Sequence, residues 1–345
     1  MPELRKDPIV GRWVIIATER AQRPGNIIDT SELTREETGK PCPFCEHHES
    51  SVPQEVYAVR ENHSGHDAPG WKVRVVPSFN PFLKIEPYFQ RRGQGLYDVV
   101  NGYGVHEVVI ETPQHVANMA DLDAGQIEQV IRAYAVRFQE LSKNTQLKFI
   151  MVYKNFSRTI PSHFAHARSQ IVATPVNPMR AKDKLKRARD YYLHRERCIY
   201  CDLINQELEV KKRVVLESEH FAVITPFASR FPFETWILPK KHHCDFDRGV
   251  SGCENDLAQV LKAVLQKIKV GLNDPEYNYV IHSAPIRRHS KVSPEWKTIE
   301  EDYHWHIEVM PVLTRMAGFE KGTGFYICSI PPENTAEYLR EVKVS

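Results

Sequence analysis

The apolar residues of this chain follow the same succession of patterns twice. An apolar stretch at 106–111 leads to Pro113-Gln-His115, and the stretch 235–239 leads in the same way to His242. Each is followed by a segment with an apolar residue every three or four positions, at 127–141 and 257–268, as in an amphipathic helix. Two more strand-like runs follow each helix, at 148–153 and 166–174 in the first half and at 277–282 and 304–311 in the second. The pattern predicts an α+β fold of two tandem repeats, each with the order strand, helix, strand, strand.

The two copies are joined by a polar stretch at 178–197, which carries eight basic residues against three acidic ones. Its few apolar residues lie near helical spacing, so we predict a connecting helix with a solvated basic face. This helix divides an N-terminal repeat at 1–177 from a C-terminal repeat at 198–345.

The charge balance and the lengths of the apolar runs restrict the classes of partner. Lys and Arg number 46 and Asp and Glu 44, a net charge of +2, which provides no basic field for general nucleic-acid binding. The longest apolar runs, such as Trp13–Ala17, fall far short of the roughly 20 residues that cross a bilayer. No signal-peptide core is recognisable near the N-terminus. We expect no nucleic-acid or membrane partner and a cytoplasmic location.

Four of the seven cysteines form two Cys-x-x-Cys pairs at equivalent places in the two copies. An odd total without a secretory signal argues against a disulfide framework, whereas paired cysteines completed by histidines are typical of structural zinc sites. We predict two zinc ions per chain, held by Cys42, Cys45, His115 and His166 and by Cys198, Cys201, His242 and His304. Reduced core cysteines and a redox pair are the alternatives, and His243 competes with its neighbour as a ligand.

A His-x-His strand can offer one imidazole to a metal and present the other to a substrate, because residues i and i+2 share a face. His304-Trp-His306 has this form in the second half. The equivalent segment of the first half is His166-Ala-Arg168, so an arginine stands where the second histidine is expected.

These features resemble the galactose-1-phosphate uridylyltransferase family, the transferase branch of the histidine-triad superfamily. The matching segments include Asp7–Trp13, Glu19–Pro24, Asn80–Phe82, Thr112–His115, Lys154-Asn155, Pro239–His242, Tyr303–His306 and Gly322–Gly324. The resemblance implies two histidine-triad-like repeats, each a mostly antiparallel half-barrel sheet with packed helices, in a homodimer. It also implies ping-pong transfer of a nucleoside monophosphate between a nucleotide sugar and a sugar 1-phosphate, through a covalent nucleotidyl-histidine.

The resemblance further assigns nucleotide contacts to Arg20, Arg23, Asn80, Phe82, Asn155, Ser169 and Gln170, the last also with a catalytic role. The family motif is His-Pro-His-x-Gln after a small-residue loop, and this chain departs from both parts. Its loop reads Pro161-Ser162-His163, and Arg168 occupies the nucleophile position. Proline has no N–H to donate, and a protonated guanidinium cannot attack phosphorus. We therefore predict that Arg168 is not a nucleophile and that it can bind an anion.

Three functions follow from these departures. The first is a nucleotidyltransferase resembling UDP-glucose–hexose-1-phosphate uridylyltransferase, with Arg168 in place of the usual nucleophile. Direct displacement, with Arg168 stabilising phosphate charge, is another route for such an enzyme. The second is an adenylyltransferase or phosphorylase of the same superfamily, and the third a catalytically silent, zinc-containing nucleotide-binding homologue. His306 is a minor candidate for a replacement nucleophile. The residues leave open the base, the sugar and whether the second metal is zinc or iron.

Overall fold

The structure is a computed structural model that describes residues 2–16, 41–61, 64–158, 165–287 and 296–344. The strands of its first half are β1 (Glu3–Lys6), β2 (Trp13–Ile16), β3 (Tyr57–Arg60), β4 (Trp71–Pro77), β5 (Arg91–Gln94), β6 (Tyr97–Asn101), β7 (Val105–Ile110), β8 (Phe149–Phe156) and β9 (Arg168–Thr174). Those of its second half are β10 (Val214–Glu217), β11 (Phe221–Ile224), β12 (Thr235–Pro239), β13 (Tyr277–His282) and β14 (His306–Pro311).

The helices are α1 (Ala124–Leu141), α2 (Met179–Arg195), α3 (Ile199–Val210), α4 (Phe246–Gly249), α5 (Glu254–Gly271), α6 (Ile299–Asp302), α7 (Gly318–Thr323) and α8 (Pro332–Glu341). The two long helices α1 and α5 are those predicted from the apolar period. The α1 helix begins at Asp123, whose carboxylate accepts a hydrogen bond from the Gln126 N–H at 2.8 Å and so satisfies one of its first-turn donors. Among the described residues, no helix combines the length and apolar character that a bilayer-spanning segment needs.

Ten strands form one antiparallel sheet in the order β3-β4-β7-β9-β8-β13-β14-β12-β11-β10. The order shows that the second half repeats the first, with β8 and β13 paired at the centre and Lys154 opposite Tyr279. The prediction of an α+β fold from two mostly antiparallel repeats is confirmed. The two half-sheets are continuous with each other, because the edge strand of each half is hydrogen-bonded to its counterpart.

The main core lies between this sheet and the helices α1 and α5, and both halves contribute to it. The hydroxyl of Tyr134 on α1 lies 2.6 Å from the Tyr279 hydroxyl of β13 and 2.6 Å from the Ser169 hydroxyl of β9. All three residues are buried. These shared hydrogen bonds satisfy polar groups that burial would otherwise destabilise.

A smaller four-stranded sheet, β2-β1-β6-β5, belongs to the first half alone. Leu4 and Val100 are buried there against Val172 of β9, which attaches the small sheet to the large one. The connecting helix α2 follows, where the basic stretch predicts one, and it buries Ala181, Leu185 and Ala188.

Candidate functional site

The first predicted ligand set is assembled at the end of the sheet where β9 begins. Cys42 Sγ lies 3.5 Å from His166 Nδ1, and Cys45 Sγ lies 3.5 Å from His115 Nδ1 and 3.6 Å from His166 Nδ1. His166 Nε2 lies 2.8 Å from the Thr112 carbonyl oxygen. Because a carbonyl only accepts, Nε2 carries the proton, and the Nδ1 lone pair is directed toward the sulfurs.

The second set has the same arrangement in the other repeat. Cys201 Sγ lies 3.3 Å from His242 Nδ1 and 3.6 Å from His304 Nδ1, and His304 Nε2 donates to the Pro239 carbonyl at 2.8 Å. Cys198, the fourth member, is the N-cap residue of α3. The Cys198–Cys201 pair therefore lies at the start of a helix, but its two histidine partners are those expected of a metal site.

The geometry distinguishes the two neighbouring histidines of the second half. His242 belongs to the cluster and donates through Nε2 to the Glu300 carbonyl at 2.8 Å. His243 instead accepts the Asp245 N–H at Nδ1, at 3.0 Å. His242, the residue that the repeat favours, is thus the one that lies with Cys198, Cys201 and His304.

Both clusters fit a tetrahedral metal ion. Ligand distances of about 2.3 Å to sulfur and 2.0–2.1 Å to nitrogen place the two ligand atoms about 3.6 Å apart. The observed sulfur–nitrogen separations are 3.3 to 3.6 Å. Burial and the neighbouring Cys42 raise the pKa of Cys45 to about 12, so two thiolates here need a cation between them.

Arg168 is the first residue of β9, and its guanidinium points to the same side as the first cluster. Nη1 donates to the His166 carbonyl at 3.1 Å, and the guanidinium carbon lies 5.1 Å from the ring centre of Phe44, a cation–π distance. Burial lowers the pKa of Arg168, yet a guanidinium stays protonated in proteins. The group is held as a cation and offers no lone pair.

A small cavity brings Arg168 together with Asn155, His166 and Lys154. The Lys154 ammonium is fully buried, donates to Glu111 Oε2 at 2.6 Å and also donates to the Arg168 carbonyl at 3.1 Å. Asn155 is exposed at the mouth of this cavity. The predicted contacts Arg168 and Asn155 therefore line the same cavity. The buried Lys154–Glu111 pair fixes the backbone of Arg168 through the bond from Lys154 to its carbonyl.

Gln170 lies on the same face of β9 as Arg168, and two donors orient it. Its Oε1 accepts from Tyr153 Oη at 2.6 Å and from His106 Nε2 at 2.7 Å, which leaves the amide nitrogen as the group that can donate to a ligand. The His106 ring also lies 4.2 Å from the ring of Phe82, centre to centre. Sequence reasoning missed His106 and Tyr153 as site residues, although their polar side chains on apolar strands were a detectable signal.

The remaining predicted nucleotide contacts do not all lie beside Arg168 and Gln170. Asn80 is exposed, two residues before Phe82 in the loop after β4. Ser169 lies on the opposite face of β9, buried beneath Tyr134, and the structure does not bring it to Arg168 and Gln170. Arg20, Arg23 and the loop Pro161–His163 lie outside the described residues.

In the second half, the residue two positions after the metal-cluster histidine is enclosed. His306 is fully buried between Trp236 and His282, with ring centres 5.5 and 4.8 Å away. Burial and the Lys184 ammonium lower the pKa of His306 to about 3. Lys184 Nζ donates to His306 Nε2 at 2.9 Å and to Glu308 Oε1 at 2.5 Å.

Arg230 completes this enclosed group. Its Nη2 lies 2.7 Å from Glu308 Oε2 and 2.7 Å from Glu234 Oε1. His282, His306 and Glu308 could by themselves offer ligand atoms to a metal, but Lys184 and Arg230 already supply positive charge there. The prediction of a wholly solvated basic face is wrong for Lys184, because the helical period places it between Ala181 and Ala188 on the buried stripe.

Comparison with known proteins agrees with this geometry. The model of the galactose-1-phosphate uridyl transferase N-terminal domain matches residues 1–178, and that of the C-terminal domain matches residues 184–323. An ADP-glucose phosphorylase from Arabidopsis thaliana is 35% identical over 100% of this chain and 94% of its own length. A galactose-1-phosphate uridylyltransferase from Thermotoga maritima is 28% identical over 100% of this chain and 99% of its own length.

Solved structures show the same likeness across the whole chain. A crystal structure of an ADP-glucose phosphorylase from Arabidopsis thaliana with bound ADP-glucose has a TM-score of 0.75 at 34% identity and covers 100% of both chains. A uridylyltransferase structure has a TM-score of 0.78 at 26% identity and covers 98% of this chain and 97% of the other.

Proposed function

Since this chain belongs to the galactose-1-phosphate uridylyltransferase family, we propose that it transfers a nucleoside monophosphate from a nucleotide sugar to a phosphate-bearing acceptor without a nucleotidyl-enzyme intermediate at position 168. One observation carries this proposal. Arg168 stands two residues after the cluster ligand His166 and shares a cavity with Asn155. The position therefore supplies a fixed cation where a nucleophilic imidazole would be needed.

The proposed reaction is a single displacement at the α-phosphorus. An oxygen of the acceptor phosphate forms a bond to the α-phosphorus while the bond from that phosphorus to the sugar 1-phosphate oxygen breaks. The sugar 1-phosphate leaves with the electron pair, and the ionised acceptor needs no general base. Arg168 stabilises the charge on the phosphate oxygens, and Gln170 and Asn155 orient them.

The two metal clusters hold the site in this proposal. With four protein ligands each, zinc ions bound there would act structurally, because no position stays open for substrate. A zinc at Cys42, Cys45, His115 and His166 would fix the start of β9 and thus the position of Arg168. Two zinc ions per chain, a homodimer and a cytoplasmic location are parts of the proposal.

Adenylyl transfer to inorganic phosphate is the second candidate. The Arabidopsis relative at 35% identity is named an ADP-glucose phosphorylase, so an adenine nucleotide has as much support as a uracil one. A third candidate is a silent nucleotide-binding homologue. The one observation that favours it is that the Arg168 guanidinium has no lone pair for attack on phosphorus.

Initial-rate kinetics test the proposal directly. ADP-glucose and UDP-glucose are each assayed with inorganic phosphate and with galactose 1-phosphate, and intact mass is recorded after each nucleotide sugar is added. We expect intersecting double-reciprocal lines for one of the four combinations and no mass increase. Parallel lines with a trapped nucleotidyl adduct would overturn the direct route, and binding without turnover in all four would leave only the silent homologue.

Substitution at Arg168 sharpens the test. Arg168→His alone should not restore ping-pong transfer, because Pro161 has no N–H to donate in the loop to which the family resemblance assigns phosphate contacts, and loss of one such donor commonly costs about 10²-fold. Arg168→His combined with a small-residue loop at 161–163 should exceed the sum of the two separate changes. Equal rates for Arg168→His and the combined variant would show that the loop is irrelevant.

A further inference from the structure

We propose that a basic cavity remote from Arg168 is a second ligand site, which binds a sugar phosphate. The cavity has a volume of about 380 Å³, within the range of small-molecule sites. It lies where the small sheet, the end of β9 and the start of α2 meet. Its walls include four basic residues and two tryptophans: Lys6, Arg91, Lys148, Lys182, Trp13 and Trp296.

The charge on these walls favours an anion. Among the described residues, no carboxylate lines the cavity. Asp98 lies 3.1 Å from Arg91 and 3.5 Å from Lys6, whereas no carboxylate of the described ranges lies within ion-pair distance of Lys148 or Lys182. In the described ranges, four cations therefore face one carboxylate within ion-pair distance, and a concave wall of one sign concentrates the opposite charge.

The backbone beside Lys182 adds to this field. The 17-residue helix α2 begins at Met179, next to the cavity, with no side-chain cap and no acidic residue in its first turn. Its N-terminal end carries partial positive charge that suits a phosphate group. The helix end and the lysines thus favour the same class of ligand.

Two other wall features select a ring with hydroxyl groups. The Oδ1 atom of Asn177, which lines the cavity, is buried and accepts no hydrogen bond from the part of the chain that the structure describes. Turning this amide toward the cavity would give the acceptor a ligand hydroxyl as its partner. Trp13 and Trp296 offer apolar ring faces against which the C–H face of a sugar can pack. Phosphate, hydroxyl and apolar ring face together describe a sugar phosphate.

The site is separate from the small cavity beside Arg168 and Asn155. That cavity is called the nucleotide cavity here, because the proposed function places the nucleotide phosphates there. Arg168 begins β9, and the basic cavity follows the other end of that strand at Pro175. Seven strand residues at about 3.3 Å each place the two cavities roughly 20 Å apart. The inference therefore does not depend on the proposed transferase activity.

Tryptophan fluorescence tests this proposal with four probes: glucose 6-phosphate, glucose 1-phosphate, inorganic phosphate and glucose. We expect at least one sugar phosphate to change the emission saturably, and both unphosphorylated glucose and inorganic phosphate to bind at least 10-fold more weakly. The doubly substituted Lys148→Ala/Lys182→Ala protein should lose at least 10-fold in affinity, because charge-assisted contacts are lost. Trp13→Phe should reduce the amplitude of the change.

Two control variants distinguish the basic cavity from the nucleotide cavity and from the exposed surface of α2. Lys186→Ala removes an exposed charge from the same helix outside the cavity and should leave the affinity unchanged. Arg168→Ala should also leave it unchanged. Loss of the signal in Arg168→Ala but not in the double lysine variant would place the ligand at the nucleotide cavity and overturn the proposal. Equal affinity for inorganic phosphate, or no saturable change with any probe, would overturn it as well.

Discussion

The two halves of the chain have equivalent clusters of Cys and His, but two residues after the last histidine of each cluster the surroundings differ, because one position is open and the other is enclosed. In the first half, Arg168 follows His166 and lines a cavity whose mouth includes the exposed Asn155. In the second, His306 follows His304 and has no exposed surface. Sheet register makes the pairs equivalent, because Gln170 faces Tyr153 and Glu308 faces Val280.

This difference separates the part of the repeat that holds the fold from the part that is available for chemistry. Each cluster unites a Cys-x-x-Cys turn with the start of a strand, a requirement that both copies share. Arg168 and His306, which lie two residues later on the same strand face, are not members of the clusters and are not bound by that requirement. In one copy this position faces a cavity, and in the other it is covered by Lys184 and Arg230, which pair with Glu308. The proposed function therefore places the phosphate ligand in the first copy.

The largest expected effect concerns the feature that the halves share. Cys45→Ala and Cys201→Ala should each remove one metal ion per chain and lower the melting temperature sharply, because binding at such sites contributes on the order of 10 kcal/mol to folding. Elemental analysis and thermal unfolding measure the two effects. Cys328→Ala, outside both clusters, is the matched control. Two retained metal ions in either variant would contradict the assignment of that cluster.

The next largest effect is a loss of stability in the second half, where Lys184 and Arg230 enclose His306. Lys184→Met should destabilise the protein by about 3 kcal/mol, because Glu308 loses a buried ion-pair partner while the helix propensity stays similar. Chemical unfolding compares this variant with Lys186→Met, an exposed position on the same helix. Nucleotide-sugar affinity should not change. A matching loss for Lys186→Met would mean that the helix, rather than the enclosed charge, is responsible.

In the first half, where Arg168 lines a cavity, substitutions should change ligand affinity rather than stability. Arg168→Ala is expected to weaken nucleotide-sugar affinity about 10-fold, the effect of losing one charge-assisted hydrogen bond. Arg168→Lys should keep part of the affinity, because a cation remains. His306→Ala, at the equivalent position, should leave affinity unchanged in calorimetry performed below its melting temperature. An equal loss from both alanine variants would erase the distinction between the halves.

The smallest effect separates the two faces of β9. Ser169→Ala should cost about 1 kcal/mol of stability, because the buried Tyr134 hydroxyl loses a partner, and should leave nucleotide affinity unchanged. Gln170→Ala should weaken binding, and it should also cost stability, because the buried His106 loses the partner of its Nε2. Urea unfolding and calorimetry on both variants decide the matter. Weaker binding in Ser169→Ala would support the direct contact that the family resemblance assigns to that residue.

Most of the fold could be predicted from local patterns. The apolar periods locate α1, α5 and six of the ten strands of the large sheet, since the alternation of exposed and buried positions follows directly from helix and strand geometry. The strands β3, β4, β10 and β11 and the small sheet were not predicted. The strand over 277–282 matches β13 at both ends, whereas the run from 304 becomes a strand only at His306. His304 stays outside the ladder, with Nδ1 toward Cys201 and Nε2 toward the Pro239 carbonyl.

The candidate site could be predicted only in part. The ligand sets follow from residue type and repeat spacing, because thiolates and imidazoles have few other reasons to recur in register. The contacts of Gln170 with His106 and Tyr153 could not be predicted, since they join three strands whose order along the sheet differs from their order in the chain. The basic cavity depends on a similar meeting of distant segments, in which Lys6, Lys148 and Trp296 share one wall.

The sequence by itself determined that the chain contains two copies of one plan, two sets of Cys and His residues with metal-ligand spacing, and an arginine two residues after His166. Those properties are local, because residue identity and periodicity specify them without reference to the rest of the fold. Only the tertiary structure decided that Ser169 faces the core, that Lys184 closes the second half and that Arg168 lines a cavity. Each of these depends on which side chains from distant segments fill the same space, and burial and charge pairing act between those segments rather than along the chain.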